Sequence, residues 1–96
     1  MEVCRVVGQA VATVKDPGLR AVKLLLVVPC DTDGEASGNM FAVADTVGAG
    51  EHEIVLVARG SAARGTARTK DAPTDAAIVG ILDSIAVGGE TTYRKD

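Results

Sequence analysis

A small, mainly β barrel carrying one short helix is the fold this sequence predicts. Three observations lead there. Short valine-rich runs recur along the chain, glycine and proline punctuate them, and one late segment changes its apolar spacing from two to about 3.6 residues. Among the 96 residues stand 15 alanines and 14 valines but only two aromatics, Phe41 and Tyr93. The core must therefore be built from small and β-branched side chains.

The elements follow in order. Val3 to Val14 reads as a strand that bends at Gly8, because a glycine inside a strand marks a bulge or a barrel corner. Lys15-Asp16-Pro17-Gly18 is a turn, proline fixing φ and glycine supplying a positive one. Val22 to Val28 is too short for a helix and suits a buried strand. A polar loop runs from Asp31 to near Asn39. Phe41 to Ala44 and Ile54 to Ala58 are strand-like, and the tight Gly48-Ala49-Gly50 link between them suggests antiparallel neighbours. Residues 60–73 are small, polar and basic and read as a long loop. Beyond it, Ile78, Ile81, Leu82 and Ile85 fall at helical spacing, Thr74 offers an N-cap and Gly88-Gly89 a stop. Alternation of Val79, Ile81, Ile85 and Val87 fits a strand too, but the helix is favoured.

No repeat breaks the chain, and residues 1–96 are expected to form one domain. A domain of this size buries only about 60% of its unfolded surface, so it gains from packing against neighbours. Disorder and a large enzyme are both excluded. Net charge is −3, which offers no general attraction to nucleic acid or anionic lipid. The longest apolar run, Leu24 to Pro29, falls far short of the roughly 20 residues a membrane helix needs. No signal peptide is read near Met1, and a cytoplasmic protein is expected. Cys4 and Cys30 show no metal-type spacing; two buried free thiols are favoured, with a disulfide left open.

Candidate chemistry is thin. His52, the single histidine, has no partner in sequence for a metal site or a general base and reads as an exposed loop residue. Ser61 lacks the flanking glycines of a nucleophile elbow, since Arg59 and Ala63 stand there. Gly60 to Thr66 has the glycine spacing of a phosphate loop, but Thr66 replaces the required lysine and a loop follows where a helix should. Gly48-Ala49-Gly50 is followed by Glu51 and Glu53, whose charge repels a pyrophosphate. No catalytic residue, metal ligand or cofactor site is assigned.

Charge is nevertheless segregated. Asp31, Asp33, Glu35, Asp45, Glu51 and Glu53 occupy a stretch without lysine or arginine, whereas Arg59, Arg64, Arg68 and Lys70 follow with no acid between them. Such segregation is commonly two solvated loops; it also permits a head-to-tail ring in which a basic loop meets a neighbour's acidic one. A small barrel with a basic stretch can alternatively bind single-stranded nucleic acid, though the stacking aromatics are missing.

The order and spacing of several short blocks are specific. They are Arg5-Val6-Val7-Gly8, Thr13-Val14-Lys15, Leu19, Lys23-Leu24-Leu25-Leu26-Val27, Ala44-Asp45-Thr46-Val47-Gly48-Ala49-Gly50 with Val55-Leu56-Val57, Gly60-Ser61-Ala62-Ala63-Arg64, and Pro73 through Asp83. Across about the first 85 residues the chain resembles the EutN/CcmL family of bacterial microcompartment vertex proteins. Two positions depart from that pattern: His52 stands where the family often has glycine, and Ala62 where it often has a second serine. The tail, 88–96, varies within the family.

The resemblance implies an OB-like β-barrel assembled as a cyclic homopentamer, without enzymatic activity. Its function would be to cap the vertices of a microcompartment shell among hexameric and trimeric shell proteins, with no nucleic acid, membrane or cofactor involved. Val47, Gly48, Ala49, Gly50, Gly60, Ser61, Ala62, Ala63 and Arg64 are expected at the subunit interface or the five-fold axis, Arg64 as a polar contact. Gly48 and Gly50 are both expected to favour positive φ. The runner-up function is an OB-like module for single-stranded nucleic acid.

Overall fold

The computed structural model describes residues 1–13, 15–19, 22–66, 69–70 and 74–96. Seven strands are present among them: β1 (Glu2–Ala10), β2 (Lys23–Pro29), β3 (Phe41–Asp45), β4 (Ile54–Arg59), β5 (Ala76–Ile81), β6 (Ser84–Val87) and β7 (Glu90–Arg94). The first five close into a barrel in the order β1-β2-β3-β5-β4, all neighbours antiparallel except the parallel pair β3–β5. This is the five-stranded Greek-key plan of the OB class. Strands β6 and β7 form a separate two-stranded hairpin.

Valine fills the barrel because its interior is narrow and its wall is pleated. Cys4 and Val6, Leu25 and Val27, Val43, Val55 and Val57, Ala76 and Ile78 point inward and are buried together, with Phe41 and Ile81 packed against them. The ladder between β1 and β2 shifts register between Val6 and Gly8, which is the bulge that Gly8 announces. β1 ends at Ala10, where its pairing with Leu24 ends, so the expected extension toward Val14 stops short; Val14 itself lies outside the described residues. Pro17–Leu19 makes one 3₁₀ turn, stabilised as the Asp16 carboxylate accepts the Gly18 N–H at 2.8 Å.

Two expectations need correction. The helix from Thr74 toward Gly88 does not form: β5 and β6 occupy that segment, and the helical turns among the described residues are short 3₁₀ turns at 17–19 and 60–64. Pro73 lies outside the described residues. Ala76, Ala77 and Ile78 are buried on both faces of β5, which produces a continuous apolar run instead of alternation, and such a run mimics a helix. Glycines 88 and 89, with φ of 59° and 84°, form the two-residue turn of the β6–β7 hairpin. Secondly, β3 and β4 are not neighbours, because β5 returns from later in the chain and inserts between them.

A second, smaller apolar cluster lies outside the barrel. Ala44 and Ala77 are paired across the β3–β5 seam and meet Val22 and Ala63. Their small side chains allow the 3₁₀ turn Gly60–Arg64 to lie directly on the sheet, as part of the segment expected to be loop.

Candidate functional site

The segment after β3 is organised by one carboxylate. Asp45, the last residue of β3, is buried at 4% exposure, and its Oδ1 accepts the N–H groups of Val47 and Gly48 at 3.1 and 3.2 Å. Its Oδ2 accepts the Ala49 N–H at 3.0 Å. Three amides that no strand partner reaches are thereby satisfied, which matters most for the buried Ala49 amide, because an unpaired buried amide costs about 1–3 kcal/mol. Thr46 adds a tie to β5, its hydroxyl donating to the Ile78 carbonyl at 2.6 Å.

Within this loop the expected residues take different roles. Ala49 turns inward and joins the barrel core, while Val47 and Gly48 stand exposed at the tip. Gly48 has φ of 77°, as expected; Gly50 does not have a positive φ, and its N–H instead donates to Glu53 Oε1 at 2.5 Å. The left-handed residue in the second half of the turn is His52, at φ 71°. Its N–H donates to the Val6 carbonyl at 2.8 Å, and the Val6 N–H donates to Glu53 O at 3.0 Å, so the turn is sewn to β1. The departure from glycine at position 52 therefore falls where glycine is conformationally easiest.

The segment after β4 is fixed by hydroxyls. Gly60 opens the 3₁₀ turn with φ of 63°, and its N–H donates to the Asp75 carbonyl at 2.7 Å. Ala63 is fully buried against Val22, Ala44 and Ala77. Buried Thr69 donates its hydroxyl to the Ala63 carbonyl at 2.6 Å, and Thr66 accepts the Thr69 N–H at 3.1 Å. Gly60, Ser61, Ala62 and Arg64 remain exposed. Just before the turn, the Arg59 guanidinium lies 3.7 Å above the Phe41 ring and its Nε meets Glu2 Oε2 at 2.5 Å.

Sequence reasoning grouped 47–50 with 60–64, but β4 leads out of one and into the other, so they occupy opposite ends of that strand. It also missed Asp45 and Thr69 as organisers. Asp45 was legible in principle, since an aspartate directly ahead of a glycine-rich turn is a common acceptor for the turn's amides. Thr69 carries no local signal. Arg68, which was grouped with the basic stretch, lies outside the described residues.

Little here resembles catalytic machinery. His52 and Ser61 sit on the loops at opposite ends of β4, and both are exposed. A depression of about 340 Å³ is lined by Arg5, Glu51, His52, Glu53, Tyr93, Arg94, Lys95 and Asp96, a balanced mixture of charges. Both cysteines are free: Cys4 is buried and Cys30 half-buried. Burial pushes the Cys4 thiol up to about 11 and raises that of Cys30, so neither is poised as a nucleophile.

The comparisons with known proteins agree with a structural role. Residues 1–83 match the family model described as ethanolamine utilisation protein EutN/carboxysome. The chain is 46% identical over 95 residues to the carboxysome shell vertex protein CcmL of Synechocystis sp., covering 99% of this chain and 95% of that one. It is 38% identical to the bacterial microcompartment shell vertex protein EutN of Salmonella typhimurium, covering 99% and 96%. Among solved structures, CcmL of Nostoc sp. superposes with a TM-score of 0.93 at 45% identity, covering 99% of this chain and all of that one. GrpN of Rhodospirillum rubrum, a pentameric microcompartment shell protein, gives a TM-score of 0.78 at 39% identity, covering 91% and 98%. A closed valine-filled barrel, two exposed small-residue loops and this breadth of similarity lead to one conclusion: the chain belongs to the EutN/CcmL family of microcompartment shell vertex proteins, structural components and not enzymes.

Proposed function

We propose that this chain assembles into a homopentamer that caps the vertices of a bacterial microcompartment shell, set among hexameric and trimeric shell proteins. The observation that carries the proposal is the near-complete match to shell vertex proteins, pentameric ones included, across the whole barrel. A flat sheet of six-fold tiles closes into a polyhedron only where five-fold units interrupt it, so a pentamer does its work by geometry alone.

Val47, Gly48 and Gly50 and Gly60, Ser61, Ala62 and Arg64 are assigned to subunit contacts or to the surroundings of the five-fold axis, while Ala49 and Ala63, expected there too, are buried within the subunit and anchor these segments. Their placement at opposite ends of β4 supports this assignment. A cyclic ring joins unlike surfaces of successive subunits, and two separated patches on one subunit meet that need. Exposed Gly48, Gly60, Ser61 and Ala62 add no bulk that would hold neighbouring backbones apart.

The nucleic-acid reading is disfavoured. Phe41 is partly buried against the core and covered by Arg59, which leaves Tyr93 as the one other aromatic for base stacking. Native mass spectrometry tests the proposal: five copies of the 9.8 kDa chain weigh about 49 kDa. A dominant species at that mass, incorporated when co-expressed with hexameric shell proteins, is expected. A monomer that persists across concentration and salt overturns it.

A further inference from the structure

We propose that adjacent subunits of the ring are held head to tail by opposite charges: the Arg64 turn of one subunit seats against the Asp31–Glu35 loop of the next. This rests on the pentamer proposed above and names the pairing inside it.

The acidic surface is rigid before any partner arrives. Arg5 points outward from β1, between inward-facing Cys4 and Val6, and its Nε donates to the Gly34 carbonyl at 3.0 Å. Gly34, at φ 88°, lies so close that a Cβ there would come within 2.9 Å of the Arg5 guanidinium. Within the loop, the Gly34 N–H donates to Asp31 O at 3.0 Å, the Asp31 N–H to Glu35 O at 2.8 Å, and the Glu35 N–H to the Asp33 carboxylate at 3.0 Å. From the hairpin, the Thr92 hydroxyl donates to Thr32 O at 2.6 Å. The loop is thus pinned to the outer wall of β1, and Asp31, Asp33 and Glu35 are all exposed.

The basic surface is equally fixed and lies on another wall. Ala63 anchors its turn on the outer face of the β3–β5 seam, and Thr69 holds the Ala63 carbonyl. In the closed order β1-β2-β3-β5-β4, that seam is the part of the barrel furthest from β1. Arg64 projects there beside Gly60, Ser61 and Ala62, with exposed Lys70 following Thr69. Among the described residues, the ion pairs within the subunit are Glu2–Arg59 and Glu53–Lys95; Arg64, Asp31, Asp33 and Glu35 belong to neither, and Arg5 meets the acidic loop at the Gly34 carbonyl. Opposite charges on two different walls of one subunit attract in a head-to-tail sense and repel head to head or tail to tail. Preorganised loops lose little freedom when they meet.

The test is a charge swap read by native mass and by the concentration at which the assembly half-dissociates. Arg64→Glu sets an acid against the acidic loop at every junction, and Glu35→Arg sets an arginine opposite Arg64 while Asp31 and Asp33 remain; each alone should raise that concentration, Arg64→Glu about tenfold or more. The double variant Arg64→Glu/Glu35→Arg restores complementarity at all five junctions and should recover the wild-type value. Mixing the two single variants should recover less than the double variant, because strict alternation is impossible around an odd ring and one mismatched junction always remains. Both substituted residues are exposed, and circular dichroism of each variant should show the wild-type strand content. If the wild type is a pentamer and either single variant assembles as tightly, or the double variant fails to recover, the pairing is wrong while the pentamer stands. A monomeric wild type instead removes the pentamer and the pairing together.

Discussion

The Asp45 carboxylate and the Ala49 amide, joined at 3.0 Å, tie the end of β3 to the residue that plugs the barrel beneath the loop. Because the same carboxylate also holds the amides of Val47 and Gly48, one side chain sets the shape of the exposed tip. Asp45→Ala should cost about 1–3 kcal/mol in urea unfolding, mainly by orphaning the buried Ala49 amide. It should also loosen the tip, measured as faster amide exchange at residues 47–49. Asp45→Asn keeps an acceptor oxygen and should lose less.

Gly48 and Gly50 should respond differently to substitution. Gly48 occupies left-handed space with nothing near a Cβ, so Gly48→Val meets backbone strain alone, about 1–2 kcal/mol. At Gly50 the backbone is ordinary, and a Cβ would lie 3.4 Å from Glu53 Oε1. Gly50→Ala should therefore unfold close to wild type in the same measurement. If both variants assemble normally by native mass, the tip has no part in subunit contact.

His52 holds a φ of 71° that a glycine adopts without penalty. His52→Gly should raise stability by about 0.5–1 kcal/mol, the relief of left-handed strain being partly offset by a looser unfolded chain. Thermal unfolding checks this directly. A destabilised variant would show that the imidazole makes contacts worth more than the strain.

The tail is fastened by charge. Lys95 Nζ lies 2.6 Å from Glu53 Oε2, and the Gly50 amide binds the other oxygen. The Lys95 hydrogen bond, followed by the Gly50 amide, holds the Glu53 carboxyl below its ordinary range, and Glu53 in turn raises Lys95. With a depressed carboxylate, the fastening is complete above the usual glutamate range and is lost as pH falls through the lowered value. In Lys95→Ala, the Glu53 titration followed by carboxyl NMR should move up toward its ordinary range. It should stop short, because the Gly50 amide remains.

β1, β2 and β4 are legible because each is a short apolar run rich in valine, leucine or isoleucine, a signal contained within a few residues. β5 is not, since its burial on both faces depends on Ala63 and Ala44, which lie far away in sequence. The same distance effect hid the insertion of β5 between β3 and β4. At the candidate site, positive φ at Gly48 follows from the glycine itself, whereas the left-handed geometry at His52 comes from the turn's fit to Val6. Charge segregation was visible in the sequence, but only closure of the barrel separates the two surfaces onto different walls.

The parallel β3–β5 seam also governs how a subunit comes into being. Ala44 waits for Ala77, and until that later segment has left the ribosome the valine face of β3 has only β2 beside it. Such long-range pairing slows folding to the millisecond-to-second range of non-local β topologies. Since Ala77 also forms part of the bed for Ala63, the basic turn takes its place only once the seam has closed. A half-made chain therefore lacks the turn proposed above as the contact with the next subunit.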